Sequence, residues 1–313
     1  MYKVILDCDP GHDDAVAIMF AAASKEIDLL GITCVAGNTS LYNATLNALK
    51  ICTFIDKKNI KIYAGNEKPL KRKLITADHV HGKSGLDYEG EEIQIPNNYN
   101  VEKENAVDFI INQCLSTKDK IILCPTGPLT NIADAILKKP EIISKIDKII
   151  FMGGAAKCLG NITPSAEFNI FVDPHAANIV LRSNIQIIMM GLDVTHKVLV
   201  DDKIINNVLS INNKSSIFFK DLMEFYSRFH RKKYNTNSSP LHDPCVIGYL
   251  LNPKLFNGRY VNVVVEELSE LTLGKTVVDW LDVTDRKPNC LVIDEVDSDG
   301  FFELLIEKFS LLP

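Results

Sequence analysis

Near the start of the chain four aspartates fall within eight residues, in the run Asp7-Cys8-Asp9-Pro10-Gly11-His12-Asp13-Asp14-Ala15. Like charges that close repel one another, so a fold that keeps them needs a cation or a hydroxyl-rich ligand to offset the cost. Further along, Asn38, Thr126, Asn161, Glu167, Asn169, His242 and Asp243 follow apolar runs and supply more oxygen donors and amides, with a single imidazole among them. Hard oxygen ligands without a Cys or His cluster favour Ca2+ or Mg2+ over zinc. The amides and spare carboxylates suit a polyhydroxylated ligand such as a sugar. A divalent ion beside a sugar suggests hydrolysis of a glycosyl bond, in which a carboxylate deprotonates water and the transition state is oxocarbenium-like.

The elements that must position these residues alternate along the chain. Tyr2 to Leu6 is a short run rich in β-formers, and Pro10-Gly11 breaks it before an Ala-rich helical segment, Ala15 to Ser24. The aspartates therefore occupy a strand-to-helix turn, and in an open α/β sheet such turns lie at the carboxyl edge of the strands, where ligands bind. Asp13 and Asp14 alone need no ligand, since the first turn of a helix favours negative charge. Asp7 and Asp9 precede the helix and fall outside that account; Asp7 reads as support for its neighbours.

Strands predicted over Ile27 to Val35 and Lys120 to Cys124 place Asn38 and Thr126 on the same edge. A strand from Asp147 to Met152 opens a loop carrying Asn161, Glu167 and Asn169, and one from Gln186 to Met190 precedes Asp193 and His196, the latter read as a hydrogen-bonded structural residue. Helices are expected over Leu41 to Ile55 and Val101 to Thr117, from Pro174 with Asp173 as its cap, and over most of Asp201 to Lys233. In that last span Phe218, Phe219, Phe225, Tyr226 and Phe229 give an aromatic side that reads as core packing, and His230 by itself reads as a solvated helix residue. Between Gly65 and Asn100 there is little periodicity; such a length is more often functional or mobile than filler. Strands over Arg259 to Glu266, Thr276 to Leu281 and Asn289 to Glu295 and a helix over Phe301 to Phe309 close the chain. No linker, charge block or repeat interrupts the series, which predicts one domain over residues 1–313: a large α/β fold with an open, mostly parallel, Rossmann-like sheet flanked by helices and the site at the carboxyl edge of its strands.

Composition excludes several classes. A net charge of −6 and lysines in short clusters argue against a nucleic-acid surface. No stretch approaches the roughly 20 apolar residues of a membrane span, and Met1-Tyr2-Lys3 leads directly into a strand without signal-peptide anatomy, so the expected location is cytoplasmic. The eight cysteines are scattered, with no Cys-x-x-Cys pair, and read as reduced, buried thiols.

At this point the sequence resembles a family. Asp7-x-Asp9-x-Gly11-x-Asp13-Asp14-Ala15 is similar to the N-terminal fingerprint of the inosine/uridine-type nucleoside hydrolases. Further segments agree in order and spacing: Ala36-Gly37-Asn38, His81-Gly82 with Gly85, Thr126 to Asn131, Met152-Gly153-Gly154, Glu167-Phe168-Asn169 with Asp173-Pro174, Leu192 to His196, and His242-Asp243-Pro244. The resemblance implies a Ca2+ held by Asp9, Asp14, Asp243 and the carbonyl oxygen of Thr126, with Asp9 also the general base toward water. It implies that Asp13, Asn38 and Asn169 hold the ribose 2′- and 3′-hydroxyls, that Asn161 and Glu167 hold the 5′-hydroxyl, and that Met152 is an apolar contact under the sugar. His242 and His81 are candidates to protonate the departing base, and Tyr226, His230 and Tyr234 fall where the family places base-contacting groups. The implied partner is a ribonucleoside, and the implied assembly a homo-oligomer, dimer or tetramer.

Two other readings weigh against this one. Asp7-x-Asp9 after an apolar strand also resembles a haloacid-dehalogenase-type phosphatase, but that motif needs Thr or Val at position 11, where this chain has Gly. A non-enzymatic calcium- or sugar-binding module is the other; an EF-hand register starting at Asp7 fails, with His12 at the sixth position and Ile18 at the twelfth.

Overall fold

The apolar runs assemble into one nine-stranded sheet in a computed structural model that describes residues Met1–Pro313. Its strands are β1 (Tyr2–Cys8), β2 (Ile27–Cys34), β3 (Ile62–Ala64), β4 (Ile121–Pro125), β5 (Ile146–Met152), β6 (Gln186–Met190), β7 (Phe256–Val265), β8 (Thr276–Asp279) and β9 (Cys290–Val296). They lie in the order β8-β7-β9-β6-β5-β4-β1-β2-β3. Every pairing from β3 across to β9 is parallel, and β7 is antiparallel to both its neighbours. The segment β3-β2-β1-β4-β5-β6 is the doubly wound arrangement in which the strand order reverses beside β1, opening a crevice at the carboxyl ends of β1 and β4. The expected single-domain, mostly parallel α/β architecture is the one observed.

Both faces of the sheet are covered, so its strands read as continuous apolar runs rather than alternating ones. Val4, Leu6 and Cys8 point into one core and Ile5 into the other. The two-residue period puts Asp7 on the Ile5 face. The helix after the aspartates, α1 (His12–Ala23), is buried at every residue except Ala22, which is why its sequence carries no polar stripe and why its acidic first turn is sealed inside the protein.

The remaining helices are α2 (Leu41–Phe54), α3 (Asp78–His81), α4 (Ala106–Ser116), α5 (Thr130–Lys138), α6 (Phe168–Val172), α7 (Pro174–Leu181), α8 (Leu192–Thr195), α9 (Asp202–Leu209), α10 (Lys214–Tyr234), α11 (Pro244–Leu251) and α12 (Ser298–Phe309). Two departures from the sequence reading have local causes. The expected Val101–Thr117 helix begins only at Ala106, because the Asn105 side chain accepts the Val107 N–H at 2.9 Å and caps it there. The span Asp201–Lys233, expected to be mostly helical, holds two helices, since Asn212 takes a left-handed conformation (φ 58°) and Asn213 caps α10 by accepting the Ser216 N–H at 2.8 Å. The apolar period runs through that break, and the Asn-Asn pair was the only signal of it.

All eight cysteines are free and seven are buried, as expected. No helix is long and apolar enough to cross a membrane.

Candidate functional site

In-register pairing brings the ends of three strands together: Asp7 lies opposite Thr33 of β2 and Pro125 of β4. The residues just beyond, Asp9, Asn38 and Thr126, therefore converge above the sheet edge. Asp9 Oδ2 accepts the Asn38 N–H at 2.6 Å, while its Oδ1 is buried with no partner. Two glycines make room for that carboxylate. A Cβ at Gly37 would sit 2.1 Å from Asp9 Oδ2, and one at Gly127 2.6 Å from Oδ1. Asp14 is held from three sides, Oδ1 by the Thr126 hydroxyl at 2.7 Å and Oδ2 by the Gly11 N–H at 2.9 Å and the Asn38 amide at 3.3 Å.

Asp243 arrives from far along the chain, immediately before α11. Its carboxylate and those of Asp13 and Asp14 offer oxygens that all lie within 4.8 Å of one another, and all three residues are buried. No Lys or Arg lines the surrounding cavity. Burial, and then the neighbouring Asp14 charge, pushes Asp13 up to about 7 and Asp9 well above the usual carboxylate range. Burial and the charges of Asp13, Asp14 and Asp9 do the same to Asp243. Such a group must stay protonated or take a cation.

Asp7 stands apart from this cluster. Its Oδ1 accepts from the Thr33 hydroxyl at 2.6 Å and from Asn131 Nδ2 of α5 at 2.8 Å, on the opposite face of the sheet. Its backbone carbonyl accepts the Thr126 N–H at 2.8 Å, so what it supports is the seating of Thr126.

The wall formed by β5 and α6 carries amides and one carboxylate. Asn169 Nδ2 donates to the Thr126 carbonyl at 2.7 Å and to the Met152 carbonyl at 3.2 Å. Glu167 caps α6: its oxygens accept the N–H groups of Gly154 (2.9 Å), Asn169 (2.9 Å) and Ile170 (3.2 Å). Burial raises its carboxyl, and those N–H groups pull it back down. Asn161 accepts the Phe168 N–H at 2.9 Å and lies at the rim.

Opposite stands a ring of aromatic and imidazole groups. His242 Nδ1 lies 2.7 Å from the Thr195 hydroxyl, and burial holds its imidazole well below the usual range. His81, from α3, and Tyr226, from α10, are buried with ring centroids 5.6 Å apart. His81 fits because Gly11 has no Cβ, which would lie 2.6 Å from its Nδ1. The same crowding explains why position 11 carries no Thr or Val, the residue a dehalogenase-type phosphatase would need. These residues enclose a cavity of about 550 Å³ lined by every sequence-predicted site residue except Asp9 and Asp14, which are fully buried.

Three readings are corrected here. His230 is not a solvated helix residue: it is buried, lines the cavity and has its ring 4.7 Å from that of Tyr226. His196 makes no side-chain hydrogen bond and instead stands at the cavity rim, its ring 5.7 Å from that of His242. The aromatic side of α10 is core only in part, since Phe218 and Phe219 are buried in the core while Phe229 lines the cavity and Phe225 stacks on His12. Sequence reasoning gave His12 no role; its place inside the aspartate run was the one available signal.

The chain is matched over residues 4–303 by the family described as inosine-uridine preferring nucleoside hydrolase. It is 43% identical to the pyrimidine-specific ribonucleoside hydrolase RihA of Shewanella sp. (strain MR-7), over 98% of this chain and 96% of that one. Among solved structures it is similar to a purine-preferring ribonucleoside hydrolase from Gardnerella vaginalis, with a TM-score of 0.90, 33% identity and 98% of each chain covered. It is similar also to a plant nucleoside hydrolase, with a TM-score of 0.91, 31% identity and 99% of each chain covered.

Proposed function

Because this chain belongs to the inosine-uridine preferring nucleoside hydrolases, which cleave the N-glycosidic bond of ribonucleosides, we propose that its cavity hydrolyses pyrimidine ribonucleosides to ribose and free base with the help of Ca2+. The pyrimidine preference follows the 43% identical relative over the 33% identical purine-preferring one. The observation that carries the mechanism is the buried acidic cluster at the cavity, with an orphaned Asp9 oxygen and no Lys or Arg to balance it.

The residues fit a hard divalent cation, since every donor is oxygen. Asp9, Asp14, Asp243 and the Thr126 carbonyl would hold it. When bound, it supplies Lewis-acid polarisation of an adjacent water and an anchor for vicinal hydroxyls. Asp13, Asn38 and Asn169 orient the 2′- and 3′-hydroxyls, Glu167 and Asn161 orient the 5′-hydroxyl, and Met152 packs beneath the sugar. Asp9 takes the proton from the attacking water as its oxygen bonds to C1′. The glycosidic bond breaks, the base leaves with the electron pair, and the carboxylates beside the ring offset the positive charge developing on the sugar. His242, oriented by Thr195, is the group we assign to passing a proton to the departing base, which requires it to be protonated in the complex although burial disfavours that form in the free protein; His81 lies on the same side of the cavity.

The test is release of ribose from uridine, cytidine and inosine in the presence of Ca2+. Uridine and cytidine should be the better substrates, and Asp9→Asn should retain the fold while losing several orders of magnitude in kcat. Near-normal turnover by that variant rejects Asp9 as the base, and faster inosine cleavage rejects the pyrimidine preference.

A further inference from the structure

Behind His81, facing away from the cavity, lies an imidazole that the mechanism above leaves idle. The His12 ring is fully buried, stacked on Phe225 at 5.1 Å and on His81 at 5.3 Å. Its Nε2 lies 2.7 Å from the carbonyl oxygen of Asp87. A carbonyl oxygen can only accept, so Nε2 carries the hydrogen, and a neutral imidazole has only one. Neither ring hydrogen-bonds a carboxylate, and both are buried, where an unpaired imidazolium is disfavoured.

It follows that Nδ1 of His12 is bare. It lies 3.0 Å from Nδ1 of His81, which must therefore be the donor. His81 Nε2 is then left without a hydrogen and without a partner in the protein, on a ring that lines the cavity. The backbone N–H of His12 also faces His81 Nδ1, at 3.3 Å, and favours the opposite arrangement. The ring-to-ring contact is the shorter of the two, and the Asp87 carbonyl leaves His12 no alternative.

The carbonyl is aimed by a built turn. Gly82 has φ 81°, and its missing Cβ leaves space for the Asp87 side chain, which would otherwise lie 2.2 Å away. That carboxylate accepts the N–H groups of Lys83 and Ser84, each at 3.1 Å, and the Asp87 N–H donates to the His81 carbonyl at 3.2 Å.

We propose that His12 is a positioning residue that fixes the tautomer of His81, so that His81 Nε2 accepts a hydrogen bond from an N–H of the nucleobase. This rests on the nucleoside reading of the cavity, but its test is independent of turnover. In the full-length protein labelled with 15N-histidine, two-bond proton–nitrogen spectra should show His81 protonated at Nδ1 and His12 at Nε2, with His81 assigned by its loss in His81→Gln. In His12→Phe the stacked ring is kept and the acceptor is gone, leaving the residue-12 N–H as the only partner of His81 Nδ1. The His81 tautomer should invert, and kcat/KM for uridine should fall about tenfold, the worth of one hydrogen bond, while inhibition by free ribose is unchanged. An Nε2-protonated His81 in the wild type overturns the proposal, whether or not the variant folds. An inverted tautomer with unchanged kcat/KM overturns its functional half. Absence of ribose release from every nucleoside would instead strike the hydrolase reading and leave the tautomer result standing.

Discussion

Two positions separate Asp7 from Asp9; the strand period alone would put both on one face, and the end of β1 at Cys8 is what gives them unrelated work. Asp9 has left the strand and faces the cluster; Asp7 is still in β1 and turns to Thr33 and Asn131 on the far face. Burial pushes the Asp7 carboxyl from 3.8 up to about 7. A native carboxyl with a raised pKa binds more protons than the unfolded chain does, so its contribution to stability falls as pH rises from the unfolded value through about 7. Asp7→Asn keeps an oxygen for both donors and cannot ionise. It should therefore gain on the wild type in urea-denaturation stability between pH 5 and pH 8. Asp7→Ala, which leaves the Thr33 hydroxyl only the longer contact to the Leu6 carbonyl and frees one Asn131 amide hydrogen, should cost about 1–3 kcal/mol at pH 5. A variant–wild-type difference that is flat with pH would mean that Asp7 is not the group titrating there.

Glu167 is where a substrate contact and an element share one side chain. It accepts two backbone N–H groups at the start of α6 and a third from Gly154 after β5, and α6 carries Asn169, whose amide fixes the Thr126 carbonyl. Glu167→Gln should therefore do more than weaken ribose binding. One half of its amide can no longer accept, so at least one buried N–H loses its partner, at about 1–3 kcal/mol. Thermal unfolding of the ligand-free protein should register that loss alongside a raised KM; a raised KM with an unchanged melting temperature would confine Glu167 to substrate binding. At this scale the sequence was informative wherever an element ends in a turn that few residues can make. Pro10-Gly11, Gly37-Asn38 and Gly127-Pro128 marked the strand ends, and the structure shows why glycine is needed at two of them: Asp9 occupies the space. It was least informative along α10, where Phe218 packs in the core, Phe229 lines the cavity and Phe225 backs His12. Apolar period alone cannot separate core from cavity wall, and a lone His such as His230 on a charged helix has no local mark of burial.

On the scale of the whole molecule, the acidic cluster exists because the strand order reverses beside β1. The turn after β1 supplies Asp9, the first turn of α1 supplies Asp13 and Asp14, the end of β4 supplies Thr126, and Asp243 is brought in by α11, which packs on α1. Both the sheet and α1 are buried, so the carboxylates cannot relax apart by moving their backbones. A cation is the remaining way to relieve them at neutral pH without protonation, and one that binds only the folded state stabilises it by mass action. At Ca2+ one hundred times its Kd that amounts to about 2.7 kcal/mol. Thermal unfolding after chelation should therefore occur several degrees lower than with Ca2+ restored. Mg2+ should recover less, because its smaller octahedral shell suits a fixed, wide carboxylate cage poorly. Asp243→Asn should shrink the Ca2+-dependent shift while leaving the chelated protein as stable as the wild type or more so, since without the cation Asp243 has to stay protonated beside Asp13 and Asp14 and Asn is neutral without that proton. A melting temperature indifferent to chelation and to added Ca2+ would mean that the cluster is held by shared protons, and the cation would have to be dropped from the mechanism.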